Sequence, residues 1–142
     1  MKKILITGGA GNIGSSLAAR LAANPDYQIV IVDNLLTGNI SKLPKSRENV
    51  IFIKADVNNF KDISSIMLSF TFDFVFHYAA VVGVARTLKN PKMVLDDIEG
   101  IKNILNLSKN SNVKKVFYSS SSEVYGEPVE IPQYHRVPSW GS

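Results

Sequence analysis

The opening fourteen residues join a short apolar run to a cluster of glycines, and this pairing limits the fold more than any other stretch. Residues 4–6 are apolar and rich in isoleucine, as expected for a buried strand. Behind the glycines, apolar residues recur every fourth position at 13, 17 and 21, as on one face of a helix. The stretch therefore predicts a strand, a tight turn and a helix. The turn contains four glycines: Gly8, Gly9, Gly11 and Gly14.

The spacing of these glycines is typical of a phosphate-binding turn. Gly8 permits the sharp turn, Gly11 lets the backbone approach a pyrophosphate, and Gly14 lets the helix pack closely on the strand. The free N–H groups and the positive dipole end of the helix, at Asn12 and Ile13, would face that anion. A flexible glycine turn without a ligand is the alternative. A P-loop is disfavoured because no Gly-Lys-Ser/Thr follows the glycines.

A second apolar run, Tyr27–Asp33, ends in an acid followed by Asn34. In dinucleotide-binding folds, a carboxylate at the tip of the second strand binds the ribose hydroxyls of the adenosine. An aspartate there would repel a 2′-phosphate, so the sequence favours NAD over NADP as the cofactor. The alternative for Asp33 is an ordinary turn residue.

Composition indicates one globular domain over residues 1–142. The chain of 142 residues is 45% hydrophobic and 20% charged, which suits a packed core and disfavours disorder. It has no cysteine, which excludes a disulfide scaffold and thiolate metal sites and is compatible with the cytoplasm. No apolar run approaches the length of a membrane span, so no membrane association is expected. The net charge is only +4 and the lysines and arginines are scattered along the chain, so no nucleic acid partner is expected.

The remaining pattern alternates strands with helices. Further strands are predicted at residues 50–55, 73–77 and 113–118, with a helix at 60–70 and one long helix from Pro91. Because crossovers between parallel strands are right-handed, this alternation predicts an α/β fold with a doubly wound parallel sheet. The expected strand order is 3-2-1-4-5.

Short motifs follow the third and fourth strands, at the sheet edge where open α/β folds bind ligands. Asp56 and Val57 come after the third strand, although Asp56 would equally suit a loop acid or a helix cap. Tyr78 precedes the small pair Ala79 and Ala80, which permits close approach of a cofactor. His77 lacks partners for a metal site, so a satisfied strand-end histidine is favoured and no metal is predicted. The small pair after the fourth strand is therefore a candidate cofactor contact.

These motifs together resemble the extended short-chain dehydrogenase/reductase family, the NAD-dependent nucleotide-sugar epimerases and dehydratases. The likeness lies in Gly-x-x-Gly-x-x-Gly after Thr7, in His-x-Ala-Ala at 77–80, and in the serine run at 119–122 before Val-Tyr-Gly. The sequence departs from the family at Asn12, where an aromatic residue is usual, and at Asp97, where an asparagine is usual.

The resemblance implies an enzyme that uses NAD to take a hydride transiently from a nucleotide-sugar, with a UDP-sugar expected as substrate and a homodimer as the assembly. Ser121 matches the catalytic serine or threonine, and Glu123 matches an acid found in some members. Asp56 and Val57 match the pair beside the adenine. Ser122-Glu123 is similar to the Ser-Glu of UDP-glucuronate decarboxylases and of some epimerases. UDP-glucose 4-epimerase chemistry is favoured, with a UDP-glucuronate decarboxylase as the alternative.

The catalytic tyrosine of the family, in Tyr-x-x-x-Lys, does not occur in this sequence. A serine hydroxyl titrates too high to act as the base, so Ser121 alone cannot remove the proton. The tail at 138–142 fits a C-terminal truncation that omits the last strands, the tyrosine and the substrate lobe. Two rival readings stay open: Trp140 replaces the tyrosine in a degenerate member, or the chain is a non-catalytic dinucleotide-binding module.

Overall fold

A computed structural model describes residues 1–45, 47–81 and 83–126. Its sheet has five strands in the order β3-β2-β1-β4-β5, and every pairing is parallel. The predicted α/β class and strand order 3-2-1-4-5 are therefore confirmed. The strands are β1 (Lys2–Thr7), β2 (Tyr27–Asp33), β3 (Val50–Lys54), β4 (Phe74–His77) and β5 (Lys115–Tyr118).

Helices cover both faces of the sheet. On one face Ala18 and Ala22 of the first helix pack against Ile4 and Ile6. On the other face the second and fifth helices pack, with Ile104 among the buried side chains. Alternate residues of the buried strands thus face two separate layers, as expected for parallel strands covered on both sides. The helices are α1 (Asn12–Ala22), α2 (Phe60–Phe70), α3 (Val84–Lys89), α4 (Pro91–Asp96) and α5 (Ile98–Lys109).

The long helix predicted from Pro91 is divided into α4 and α5 at Asp97. The carboxylate of Asp97 accepts the Val81 N–H at 2.8 Å, which ties this point to the loop after β4. Beyond it, α5 lies close to the connection between β3 and α2, because a Cβ added at Gly100 would lie 2.8 Å from Asn58 Oδ1. The division therefore follows from tertiary contacts that helical periodicity does not encode.

Candidate functional site

The glycine turn brings the end of β1 into close contact with the end of β4. Gly8 has φ +68°, and a Cβ there would lie 2.6 Å from the Ala79 nitrogen. A Cβ on Gly14 would lie 2.5 Å from the Gly8 oxygen, so α1 packs directly on the turn. Both positions exclude any side chain, as the sequence predicts. The result is a backbone surface open to a ligand between two strand ends.

The N-terminus of α1 opens onto this turn. Gly11 is its N-cap and lacks a side chain, and no side chain in the described part of the molecule caps the helix. The first-turn N–H groups of Asn12, Ile13 and Gly14 are thus not taken by a cap, and the helix dipole adds positive potential. This arrangement suits a phosphate or diphosphate.

Asp33 lies at the carboxyl end of β2 with a side chain only 8% exposed. Its Oδ2 accepts the Ala10 N–H at 2.9 Å, and its Oδ1 accepts the Leu35 N–H at 2.8 Å. A Cβ on Gly38 would lie 2.8 Å from Oδ1, so the following loop runs over the carboxylate. Each carboxylate oxygen can accept more than one hydrogen bond. Asp33 is therefore held in place by the backbone and can still accept hydroxyl donors.

A buried polar chain links the ends of β1 and β4. Thr7 Oγ1 lies 2.8 Å from His77 Nδ1 and accepts the Ala79 N–H at 3.3 Å. Burial lowers the pKa of His77 from 6.5 to about 4, against the opposing attraction of the Asp97 carboxylate. A neutral imidazole can accept the threonine hydrogen at Nδ1. His77 is thus the satisfied strand-end histidine that the sequence favours, and the described residues contain no cluster that would hold a metal ion.

The segment after β3 is fixed by its own side chains. Asp56 Oδ1 accepts the Asn58 N–H at 2.9 Å, whereas Asn59 caps α2 by accepting the N–H groups of Lys61 and Asp62. The helix-cap alternative for Asp56 is therefore wrong. Buried Asn103 donates to the Val57 carbonyl at 2.9 Å and holds the segment against α5.

One cleft of about 470 Å³ lies at the carboxyl ends of the strands, within the range of small-molecule sites. Every residue predicted from sequence to contact the cofactor lines it; their roles in binding stay predictions. Those residues are Gly8, Gly11, Asn12, Ile13, Gly14, Asp33, Asn34, Asp56, Val57, Tyr78, Ala79 and Ala80.

The cleft also contains residues that sequence reasoning did not single out as contacts. Arg86 and Met93 come from α3 and α4, and no motif marks them. Asp97 was noted only as a departure from the family, although its contact with Val81 gives it a place in the wall. The additional lining residues are Leu36, Thr37, Ala55, Asn58, Val81, Arg86, Met93, Asp97, Ser119 and Ser120.

The predicted catalytic residues follow β5 at the same edge of the sheet. Ser119 and Ser120 line the cleft, and Ser121 is exposed at the next position. Glu123 lies in the 3-10 turn Ser122–Tyr125, which the Val124 N–H joins to the Ser121 carbonyl. Trp140 and the tail lie outside the described residues. The roles of Ser121 and Glu123 stay predictions.

A comparison with known families decides what this cleft belongs to. The model of the NAD dependent epimerase/dehydratase family matches residues 4–139. The chain belongs to this family. The resemblance inferred from the sequence motifs is therefore confirmed. Because the family is NAD-dependent, the cofactor is NAD, and the glycine cradle and uncapped helix fit its diphosphate.

Known proteins are similar to this member of the NAD-dependent epimerase/dehydratase family over nearly its whole length. A bifunctional UDP-glucose 4-epimerase and UDP-xylose 4-epimerase of Pisum sativum is 32% identical, covering 92% of this chain and 40% of its own. A UDP-glucose 4-epimerase of Thermotoga maritima, solved with UDP-glucose, is 32% identical with a TM-score of 0.81. The match covers 91% of this chain and 41% of that one. A UDP-glucose 4-epimerase of Stenotrophomonas maltophila, solved with NAD and formylated UDP-arabinopyranose, is 29% identical with a TM-score of 0.81. The match covers 93% of this chain and 40% of that one.

This chain of the epimerase/dehydratase family thus spans about 40% of the length of these relatives, and the match corresponds to an N-terminal portion. Within the described ranges, no helix is both long and apolar enough to pass through a membrane.

Proposed function

We propose that this chain is the NAD-binding portion of a nucleotide-sugar epimerase, with 4-epimerisation of a UDP-sugar as its reaction. The observation that carries the proposal is that one cleft at the carboxyl ends of the strands is lined by all the residues expected to contact the cofactor. Relatives whose names specify UDP-sugar 4-epimerases support the choice of reaction and substrate. We propose residues 1–142 as one dinucleotide-binding domain of that protein.

Each part of the proposed cofactor has a matching wall of the cleft. The uncapped end of α1 and Gly11 suit the diphosphate. The carboxylate of Asp33 suits the adenosine ribose, and Asp56 suits the adenine. Ala79 leaves room at the end of β4, toward the serines that follow β5. The residues that would hold NAD thus lie along the cleft from the end of β3 to the end of β5.

The proposed chemistry divides between the cofactor and the chain. NAD supplies a hydride acceptor that later returns the hydride to the sugar. Ser121 would hydrogen-bond the reacting hydroxyl, because its own hydroxyl is far too weak an acid to serve as the base. Glu123 is proposed as a second catalytic residue, because it matches an acid found in some members of the family. The tyrosine base of the family is not in this sequence, so it would have to come from further chain.

Two alternatives have specific support. The pair Ser122-Glu123 is similar to the Ser-Glu of UDP-glucuronate decarboxylases, which begin with the same oxidation of the sugar, and of some epimerases. The lack of a Tyr-x-x-x-Lys is consistent with a non-catalytic dinucleotide-binding module as well as with a truncated enzyme. Assays of turnover separate the module from the enzyme.

We also propose that the whole protein is a homodimer. Large apolar side chains are exposed along α3, α4 and α5, and exposed apolar surface of this kind suits a protein contact. A cytoplasmic location is proposed with it. The exposed side chains are Leu88, Leu95, Ile98 and Leu105.

The proposed cofactor site is tested by titrating NAD into the chain in a calorimeter, beside the variants Gly11→Ala and Gly14→Ala. We expect saturable binding by the wild type. A Cβ at Gly11 would lie 3.2 Å from the Gly8 oxygen, so the fold adjusts slightly while the methyl group meets the diphosphate. Gly11→Ala should therefore weaken NAD binding by roughly tenfold or more at a nearly unchanged melting temperature.

Gly14→Ala is the matched control, because its Cβ would lie 2.5 Å from backbone. It should lower the melting temperature instead of acting on the ligand alone. A wild type that does not bind NAD, or a Gly11→Ala variant that binds it equally well, would contradict the proposed site.

A further inference from the structure

The loop between β2 and β3 folds back on the glycine turn and brings a lysine to the first residue of α1. Lys42 Nζ donates to Asn12 Oδ1 at 2.7 Å. The Asn39 N–H donates to the Ala10 carbonyl at 3.0 Å, and a Cβ on Gly38 would lie 2.9 Å from Ala10 Cβ. The position of Lys42 is thus fixed by its loop as well as by its own hydrogen bond.

The direction of this hydrogen bond decides how Asn12 presents its amide. A lysine ammonium has only donors, so the amide atom that faces it must be the oxygen. The amide nitrogen of Asn12, with its own N–H donors, then points away from Lys42. The ammonium keeps further N–H donors free for an anion after one is used by Asn12. The pair therefore offers donors, and a full positive charge, beside the uncapped end of α1.

We propose that Lys42 and Asn12 form an anion clamp that binds the diphosphate of the dinucleotide from outside the glycine turn. The inference rests on the proposed dinucleotide site and adds to it a specific cation. The helix end supplies only a partial positive charge, whereas the diphosphate of NAD is a dianion, so a fixed ammonium strengthens the attraction. Asn12 lines the cleft, whereas Lys42 lies just outside its lining residues, with Nζ 2.7 Å from Asn12 Oδ1.

The side-chain oxygen of Asn12 is what holds the Lys42 ammonium at the first residue of α1. Both Asn12 and Lys42 are solvent-exposed, so the contact should be sensitive to ionic strength.

The test compares Lys42→Met with Lys45→Met, which removes the same charge from the same loop. Lys45 is exposed and is not placed in the cofactor site. At low ionic strength, Lys42→Met should raise the Kd for NAD by roughly three- to tenfold, as expected for loss of one charge-assisted contact. Lys45→Met should change it by less than about twofold. The difference should shrink at high salt, where screening shortens electrostatic reach.

Two further measurements separate a phosphate contact from a structural role. Adenosine, which lacks phosphates, should bind Lys42→Met as it binds the wild type. In an Asn12→Leu background, Lys42→Met should lose most of its effect, because the lysine is no longer held at the helix end. Melting temperatures should stay close to wild type for both lysine variants.

Each contrary outcome has a distinct meaning. Equal effects of Lys42→Met and Lys45→Met, or an equal loss of adenosine binding, would overturn the clamp while leaving the cofactor site intact. A greater loss of NADP than of NAD binding would place the lysine at the 2′-phosphate and overturn the diphosphate assignment. A wild type that binds no NAD at any salt concentration would overturn the proposed function together with the clamp.

Discussion

The carboxylate of Asp33 holds the glycine turn, and we propose that the same carboxylate selects the cofactor. The Ala10 and Leu35 N–H groups fix its oxygens, and the loop at Gly38 covers it. Little room is left for the carboxylate to rotate away from a ligand. A negative charge fixed in this way favours ribose hydroxyls over a phosphate at the same place.

We therefore predict that the wild-type chain binds NAD more tightly than NADP, by roughly tenfold or more. Asp33→Ala should weaken NAD binding and reduce the discrimination between the two cofactors. It should also lower stability, because two backbone N–H groups lose their acceptor. Calorimetric titration of both cofactors measures the preference, and thermal melting monitors the fold. Equal wild-type affinities for NAD and NADP would refute the role of Asp33.

His77 makes stability depend on pH. Its folded-state pKa of about 4 lies below the ordinary value of 6.5, so the unfolded chain binds the proton more readily. The contribution of the neutral His77 imidazole to the free energy of unfolding is therefore complete above pH 6.5, and it is lost as the pH falls toward 4. For one proton the free energy of unfolding should fall by at most about 1.4 kcal/mol per pH unit, or about 3 kcal/mol in all.

Urea denaturation at pH 7.5 and pH 5 would measure this dependence in the wild type and in His77→Asn. The asparagine oxygen can accept the Thr7 hydrogen in place of Nδ1 but has no proton to gain. The difference between the two proteins cancels the titration of every other group. A wild type that loses no more stability than His77→Asn between these pH values would contradict the buried, neutral histidine.

At the level of elements, the β1–turn–α1 unit was predictable because its glycines meet steric limits that a sequence records directly. Gly8 faces the Ala79 backbone, and Gly14 faces the Gly8 oxygen, so no other residue fits. Strand order followed in the same way, since right-handed crossovers leave few arrangements. The glycine turn and the strand order could be predicted because local sterics and chain topology restrict each of them to one arrangement.

Other elements escaped prediction because their causes lie far apart in the chain. The helix α3 follows Gly83, with φ +103°, and is too short for its periodicity to be recognised. The division between α4 and α5 depends on the hydrogen bond from Val81 to Asp97, and the clamp joins Asn12 to Lys42 across 30 positions. Pairs of this kind have no signature in a single sequence. The lining of the cleft was thus predictable at the ends of β1, β2, β3 and β4, but not on α3 and α4.

At the scale of the whole molecule, the described residues form a cleft that suits the cofactor, whereas the sequence lacks the Tyr-x-x-x-Lys that the family resemblance implies as the base. The cleft walls come from every strand end, and serines from the segment after β5 lie at its margin. The sequence contains no Tyr-x-x-x-Lys, and the chain spans about 40% of the length of its relatives. We therefore expect this chain to bind the cofactor without catalysing turnover of a nucleotide-sugar.

We predict that residues 1–142 bind NAD and do not turn over UDP-glucose or UDP-galactose. Loss of the general base costs on the order of a hundred- to ten-thousand-fold in rate, and loss of the groups that orient the sugar costs a further large factor. A coupled assay for 4-epimerisation, run with excess NAD, would measure the rate. Detectable turnover by this chain alone would show that another of its residues serves as the base.

Joining residues 1–142 to the C-terminal part of the Pisum sativum relative would supply the missing groups that the family resemblance implies. This chimaera should epimerise UDP-glucose, and circular dichroism would establish that it folds. In the chimaera, Ser121→Ala should lower kcat by roughly a hundredfold, as for loss of one preorganised hydrogen-bond donor in a transition state. NAD affinity should stay nearly unchanged, because the cofactor walls are formed by other residues. A folded chimaera that binds NAD and leaves every UDP-sugar unchanged would instead favour the non-catalytic module, since the cleft would then hold its cofactor without any sugar to oxidise.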